Sequence, residues 1–296
     1  NLRLSPASGG VAARLDPAPK ETLLGVVNQL QPTDAPCNGW REQLTPTMTE
    51  NALVLSGIYP GACGSQSLPL NLLSPEATAS VMFSRLWESL GGRQTGEVRA
   101  GVAADASGKE GRAESQPSLL FEFESLPLAQ IVRDINKFSN NVMAKMLFLN
   151  LGALRYGAPA TWEKSIRAVR AWAGEHGLEM PELVLENGSG LSRIERISAG
   201  SLARLLNYAA ARPAYYELAA SLPAVGLEGT QKGRMNGSSA VGSAWLKSGT
   251  LNGARNLAGY VLGPHGSRRI LVFLINHRNA AAGAAAQEEL LEWAMR

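Results

Sequence analysis

Partial alternation of apolar and polar residues indicates short strands in the first quarter of the chain. The stretches "GGVAARLDP", "TLLGVVNQL" and "ALVLSGIYP" each carry this pattern between residues that favour turns, namely Pro, Gly and Asn. Residues 1–72 are therefore predicted to form a β-rich domain.

After these strands, apolar residues recur at the spacing of a helix. "SPEATASVMFSRLWESLGG" predicts a helix in which Ser74 is the N-cap, Pro75 occupies the first turn and Gly91 ends the element. Thr95–Ser118, rich in Gly, Ala, Ser and charge, is predicted to be a mobile surface connection. Further helices are predicted from Leu119 onward, including "ATWEKSIRAVRAWAGEHGL" and "SAGSLARLLNYAAARP". The second domain is predicted to span residues 73–296.

The C-terminal part of the chain is predicted to contain three strands and one helix. "SAWLKSGTL", "NLAGYVLG" and "RRILVFLINH" read as three successive strands joined by the short turns "NGAR" and "PHGS". Strands joined this tightly run antiparallel, and the helix predicted over "AAAGAAAQEELLEWAMR" can cover one face of their sheet. The predicted fold class is α+β.

One amphipathic stripe contains an anomaly. The apolar residues Ile131, Ile135, Phe138 and Val142 follow a helical period, yet Ser139-Asn140-Asn141 lies in their midst. Ser139 and Asn141 would point about 200 degrees apart on a continuous helix. We therefore predict a break between two helices, which could aim both side chains into one cleft.

Composition and charge exclude several classes of function. The formal charge of +3 over 296 residues is mild and scattered, so no nucleic-acid partner is expected. Ile270–Ile275, the longest strongly apolar run, is far shorter than the roughly 20 residues of a membrane-spanning helix. The 3 histidines lie far apart and no Gly-rich phosphate loop is present, so neither a metal nor a cofactor is expected.

Two short motifs can carry chemistry, and each also has a structural interpretation. Ser139-x-Asn141 can be a helix cap beside a turn, and Lys247-Ser248-Gly249 can be the solvated start of a strand. Lys247 and Ser248 point to opposite faces of a flat strand, so both can reach one site only from a twisted edge strand. We predict that edge position.

Taken together and in this order, the motifs match two parts of the S-x-x-K, S-D-N and K-T-G trio of β-lactamases and penicillin-binding proteins. The contexts "VRDINKFSNNVMAKMLFLNLG", "LVLENGSGLSRIERISAGSLARLL" and "LKSGTLNGARNLAGYV" resemble the D-alanyl-D-alanine carboxypeptidase/endopeptidases, or class C low-molecular-mass penicillin-binding proteins. The resemblance implies a transpeptidase-like antiparallel sheet with helices, plus a β-rich inserted domain. A β-lactamase fits these contexts less well.

The resemblance also implies roles for individual residues. Ser139 would relay a proton to the leaving group, and Lys247 would keep the local potential positive. Asn141 would hold the substrate backbone, while Ser248 and Thr250 would bind a terminal carboxylate. Independently of the resemblance, Gly249 removes a side chain where an extended peptide must approach closely. The implied ligands are peptidoglycan stem peptides and cross-links, with β-lactams as covalent inhibitors.

One part of the trio is missing. No Lys in the chain has a Ser three positions before it, so the Ser-x-x-Lys nucleophile motif is absent from these residues. We expect this motif to lie in sequence that the chain lacks. The alternative is a non-catalytic module that binds peptidoglycan or another partner.

Spacing alone leaves the state of Cys37 and Cys63 open between a disulfide and two unrelated buried thiols. The resemblance implies export to the periplasm, and in an exported protein the disulfide is the favoured state. Peripheral association with a membrane stays open.

Overall fold

The computed structural model describes residues 1–15, 25–49, 52–70, 74–99 and 122–296. The chain falls into two compact units, Asn1–Leu120 and Phe121–Arg296. The domain division predicted after residue 72 stays a prediction. The connection predicted over Thr95–Ser118 lies largely outside the described residues.

The first unit consists mainly of strands. Its elements are β1 Leu2–Ala7, β2 Gly10–Leu15, β3 Gly25–Thr33, β4 Leu44–Met48, β5 Ala52–Pro60, β6 Gln66–Leu68 and α1 Pro75–Ser89. The strands form two sheets, in the orders β2-β1-β6 and β3-β5-β4. The prediction of a β-rich region is confirmed, although the alternation pattern missed β1, β4 and β6.

The core of this unit lies between strands that are apolar at alternate positions. Leu2, Leu4 and Leu53 are fully buried in it, together with Tyr59. Cys37 and Cys63 are joined as a disulfide at the edge of the same core. Helix α1 begins as predicted, because the Ser74 hydroxyl accepts a hydrogen bond from the Ala77 N–H at 3.2 Å.

The second unit combines helices with one antiparallel sheet. Its elements are α2 Leu128–Phe138, α3 Asn141–Tyr156, α4 Trp162–Glu175, α5 Ala199–Ala210, α6 Tyr215–Ser221, β7 Ala244–Leu251, β8 Ala254–Leu262, β9 Arg268–Asn276 and α7 Ala284–Ala294. The sheet has the order β7-β8-β9, so β7 is an edge strand as predicted. The α+β fold class is confirmed.

Both faces of this sheet are covered. Leu246 and Leu257 pack with Leu291 of α7 on one face, and Trp245 and Tyr260 pack with α6 on the other. Leu246 is 0% exposed. The position of β7 is therefore set by a buried core as well as by backbone pairing.

Candidate active site

Ser139 lies in a bend between two helices. Helix α2 ends at Phe138, and Ser139 adopts the left-handed conformation with φ 51° and ψ 48°. Asn140 begins the next helix, because its side-chain oxygen accepts a hydrogen bond from the Met143 N–H at 3.1 Å. The predicted break is present, with the cap provided by Asn140 and not by Ser139.

The left-handed conformation at Ser139 is unusual for a residue with a side chain. It costs roughly 1–2 kcal/mol for most L-amino acids and persists only where surrounding contacts enforce it. Such residues cluster at functional sites. This conformation ends α2 at Phe138, and the Ser139 hydroxyl contacts Lys247 of β7.

Lys247 lies on the edge strand β7. The Leu246 N–H points away from β8 and donates to the Pro223 carbonyl at 3.0 Å. Because backbone groups alternate in direction along an antiparallel strand, those of Ser248 and Thr250 face the same outer edge. The strand therefore presents backbone donors and acceptors beside its Lys.

Ser139 and Lys247 meet across 108 residues of sequence. The Lys247 ammonium donates to the Ser139 hydroxyl at 2.5 Å and to the Ser248 carbonyl at 2.7 Å. Burial lowers the pKa of Lys247 from its ordinary value, since the charged form is poorly solvated there. A lysine of this kind gives up a proton more readily than a solvated one, and its hydroxyl partner can relay that proton.

The other predicted residues lie at or beside this pair. Asn141 is the first residue of α3 and is half-buried. The Ser248 hydroxyl is half-buried and lies 3.5 Å from the Thr230 hydroxyl, while Gly249 and Thr250 are exposed on the strand. A β-carbon added to Gly249 would meet Asn256 only at 4.0 Å, so the surrounding protein does not require glycine at this position.

The apolar stripe that suggested a packed helix is exposed around the bend. Phe138 and Val142 are 67% and 69% exposed, and Met146 is 49% exposed. This differs from the expectation for an amphipathic helix, whose apolar face is ordinarily buried. The bend thus carries an apolar surface next to the Ser139–Lys247 pair.

The "ENGSGLSR" stretch, residues 186–193, forms a turn. One oxygen of Glu195 accepts hydrogen bonds from the N–H groups of Glu186, Asn187 and Gly188 at 3.0, 3.0 and 3.2 Å. A side chain on Gly188 would collide with Phe148 of α3, 2.6 Å from the added β-carbon. The turn is therefore fixed against the helix that begins at Asn141.

Sequence reasoning missed two charged residues near the site. Lys137, two positions before Ser139, forms an ion pair with Glu228. Glu228 belongs to the stretch "GLEGT", residues 226–230. The available signal was a lysine two residues before the Ser-x-Asn motif, but a lysine at such a position is ordinarily solvated.

Two kinds of feature are absent from the ranges given above. No three His, Cys, Asp or Glu side chains in those ranges are grouped so that they could hold a metal ion. No helix within them is long and apolar enough to cross a membrane.

Comparison with known proteins places this geometry in a family. The model of the D-Ala-D-Ala carboxypeptidase 3 (S13) family matches residues 1–296. The chain is 32% identical over 248 residues to a D-alanyl-D-alanine carboxypeptidase of Actinomadura sp. (strain R39), covering 81% of this chain and 44% of that protein. It is 29% identical over 163 residues to the D-alanyl-D-alanine carboxypeptidase DacB of Haemophilus influenzae, covering 54% of this chain and 34% of that protein.

A solved structure shows the same fold. The crystal structure of penicillin-binding protein 4 (dacB) from Haemophilus influenzae, complexed with a β-lactam, superposes with a TM-score of 0.75 at 23% identity. The match covers 100% of this chain and 68% of that one. The chain spans less than half the length of the two curated relatives. It belongs to the D-Ala-D-Ala carboxypeptidase 3 (S13) family.

Proposed function

We propose that the chain is part of a serine-type D-Ala-D-Ala carboxypeptidase/endopeptidase that acts on peptidoglycan stem peptides and cross-links and is acylated by penicillins. The observation that carries the proposal is the hydrogen bond from the Lys247 ammonium to the Ser139 hydroxyl. It joins the two motifs of the family that this chain contains.

The chemistry divides between these 296 residues and a nucleophile supplied by sequence beyond them. The Ser of a Ser-x-x-Lys motif would attack the carbonyl of the D-Ala-D-Ala bond, with its Lys as base. Ser139 would give its proton to the departing amine and take in return the proton that this lysine removed from the nucleophile. Lys247 would hold the Ser139 hydroxyl in place.

Substrate binding is proposed along the free edge of β7. An extended peptide can add to an exposed strand edge through backbone hydrogen bonds, and Ser248 and Thr250 direct theirs outward. Their hydroxyls would bind the terminal carboxylate, and the Thr250 N–H would contribute to the oxyanion hole. Asn141 would hold the backbone of the substrate from the opposite side.

We extend the proposal to location. The disulfide between Cys37 and Cys63 supports an exported protein, because disulfides persist in oxidising compartments. Peptidoglycan is assembled outside the cytoplasm, which makes the periplasm the proposed compartment.

Labelling with a fluorescent penicillin tests the proposed function. The 296-residue chain should remain unlabelled, and the complete protein with its Ser-x-x-Lys segment should be labelled covalently. Boiling in detergent before electrophoresis separates covalent from non-covalent signal. Covalent labelling of the short chain, or none of a folded complete protein, would contradict the proposal.

A further inference from the structure

An ion pair joins Lys137, two residues before Ser139, to Glu228. The Lys137 ammonium contacts the Glu228 carboxylate and lies 3.5 Å from the Leu222 carbonyl oxygen. The Lys137 side chain is only 13% exposed and that of Glu228 is 43% exposed. A nearly buried ammonium of this kind requires its partner, because an unpaired buried charge is costly.

The partner belongs to a segment that packs tightly on the end of α2. We call residues 222–231 the bridging segment. The same Glu228 oxygen accepts a hydrogen bond from the Ala224 N–H at 3.3 Å. Gly229 has φ +50°, and a β-carbon there would lie 2.1 Å from the Lys137 carbonyl oxygen. The backbone of the bridging segment thus touches the backbone of α2 two residues before Ser139.

The bridging segment also holds β7. Leu246 donates to the Pro223 carbonyl at 3.0 Å, and Val225 donates to the Ala244 carbonyl at 2.9 Å. These bonds end one residue before Lys247. The segment therefore contacts Lys137, two residues before Ser139, and Leu246, one residue before Lys247, and it joins the two halves of the site.

We infer that Lys137 and Glu228 are positioning residues that keep the Ser139 hydroxyl within hydrogen-bonding distance of the Lys247 ammonium. The inference rests on the proposed function. Neither residue contacts the reacting atoms; both act through the end of α2 and the bridging segment. The left-handed conformation of Ser139 needs such support, because an unconstrained serine would relax into a more favourable region.

The charge state of the pair supports this role. Lys137 holds the pKa of the Glu228 carboxyl below its ordinary value through their hydrogen bond. The carboxylate therefore stays ionised at neutral pH and keeps its ion pair with Lys137 of α2.

The test compares variants of this pair with variants of a second ion pair in the same unit. Lys137→Met and Glu228→Gln in the complete protein should each lower the rate constant of the acylation step with penicillin about 100-fold, as expected for a misplacement near 1 Å. Penicillin binding before acylation should change less than threefold. Arg155→Met and Glu175→Gln break an ion pair at the far end of α3 and should change acylation less than threefold.

A conservative variant and a double variant separate positioning from general damage. Lys137→Arg retains a cation and should recover acylation to within about tenfold of wild type. The Lys137→Met/Glu228→Gln double variant should be no slower than the worse single variant, because the two residues act as one unit. Losses that multiply in the double variant, or equal losses in the Arg155 control, would overturn the inference.

Crystal structures of the same variants distinguish this inference from the proposed function. In Lys137→Met the Ser139 oxygen and Lys247 nitrogen should lie more than 3.5 Å apart, whether or not the protein is acylated. An unchanged separation would refute the positioning role even if the wild-type protein is an active enzyme. An increased separation in a protein that penicillin never labels would leave the positioning role standing and refute the proposed function.

Discussion

The two halves of the candidate site are held in different ways. Lys247 lies on strand β7, next to Leu246, which is fully buried between the sheet and α7. Ser139 lies on a bend flanked by the exposed side chains of Phe138 and Val142. The sheet half is fixed by a hydrophobic core, whereas the helical half depends on a few specific contacts. Substitutions in the two halves should therefore affect stability and chemistry differently.

The largest effect is expected from removing the ammonium itself. In the complete protein, Lys247→Ala should lower penicillin acylation by about a thousandfold, the scale of losing one electrostatic contributor to acyl transfer. The melting temperature of the Lys247→Ala variant should change little, because the Lys247 side chain is not part of the hydrophobic core. Stopped-flow acylation and calorimetry measure the two quantities.

The exposed Lys232 provides the control for that substitution. Lys232→Ala removes the same charge and should leave acylation within twofold of wild type. Equal losses in both variants would mean that the result reports net charge and not the hydrogen bond to Ser139.

A pair of apolar substitutions sharpens the contrast in packing. Leu246→Ala should lower the free energy of unfolding by about 2–5 kcal/mol, because it leaves a cavity in a closed core. Val142→Ala should cost less than about 1 kcal/mol in the 296-residue chain, since the side chain is already exposed. Urea unfolding of both variants measures the difference, and similar losses would show that the bend is packed.

Backbone strain separates the halves in a further way. Ser139→Gly should be more stable than Ser139→Ala by about 1 kcal/mol, because both lack the hydroxyl and only glycine tolerates φ 51° freely. At Ala144, inside α3, the order should reverse, and glycine should cost about 0.5–1 kcal/mol relative to alanine. Equal stability of the two Ser139 variants would contradict a strained serine.

The smallest effect concerns pH. Burial lowers the pKa of Lys247 in the folded protein, so the unfolded chain binds more protons between that pKa and the ordinary value of 10.5. Wild-type stability relative to Lys247→Met should therefore rise as pH increases through this window, and the cost of burying the charge should be fully present below it. Urea unfolding at pH 8 and near pH 10.5 tests this, and a relative loss at high pH would reverse the sign.

Several features of the fold and of the site could be predicted from the sequence. The start of α1 follows from Ser74 and Pro75, and β7–β9 follow from short turns between apolar runs. The bend at Ser139 was predictable because two polar residues two positions apart cannot share one helix face. Each of these inferences depends on local chemistry.

Features that depend on distant pairing were not predictable. Strand β3 pairs parallel with β5, and β4, between them in sequence, lies on the outer side of β5. Lys137 finds Glu228 91 residues away, and nothing in either local stretch identifies the other. Alternation and capping describe neighbours along the chain, so a contact between two loops is visible only in the folded protein.

We propose that Ser139 and Lys247 serve a nucleophile that lies outside these 296 residues. The direct measurement is to treat the complete protein with penicillin, digest it and locate the penicilloyl group by mass spectrometry. The adduct is expected on the Ser of a Ser-x-x-Lys motif outside this sequence. An adduct on Ser139, or on any other residue of the 296, would contradict it.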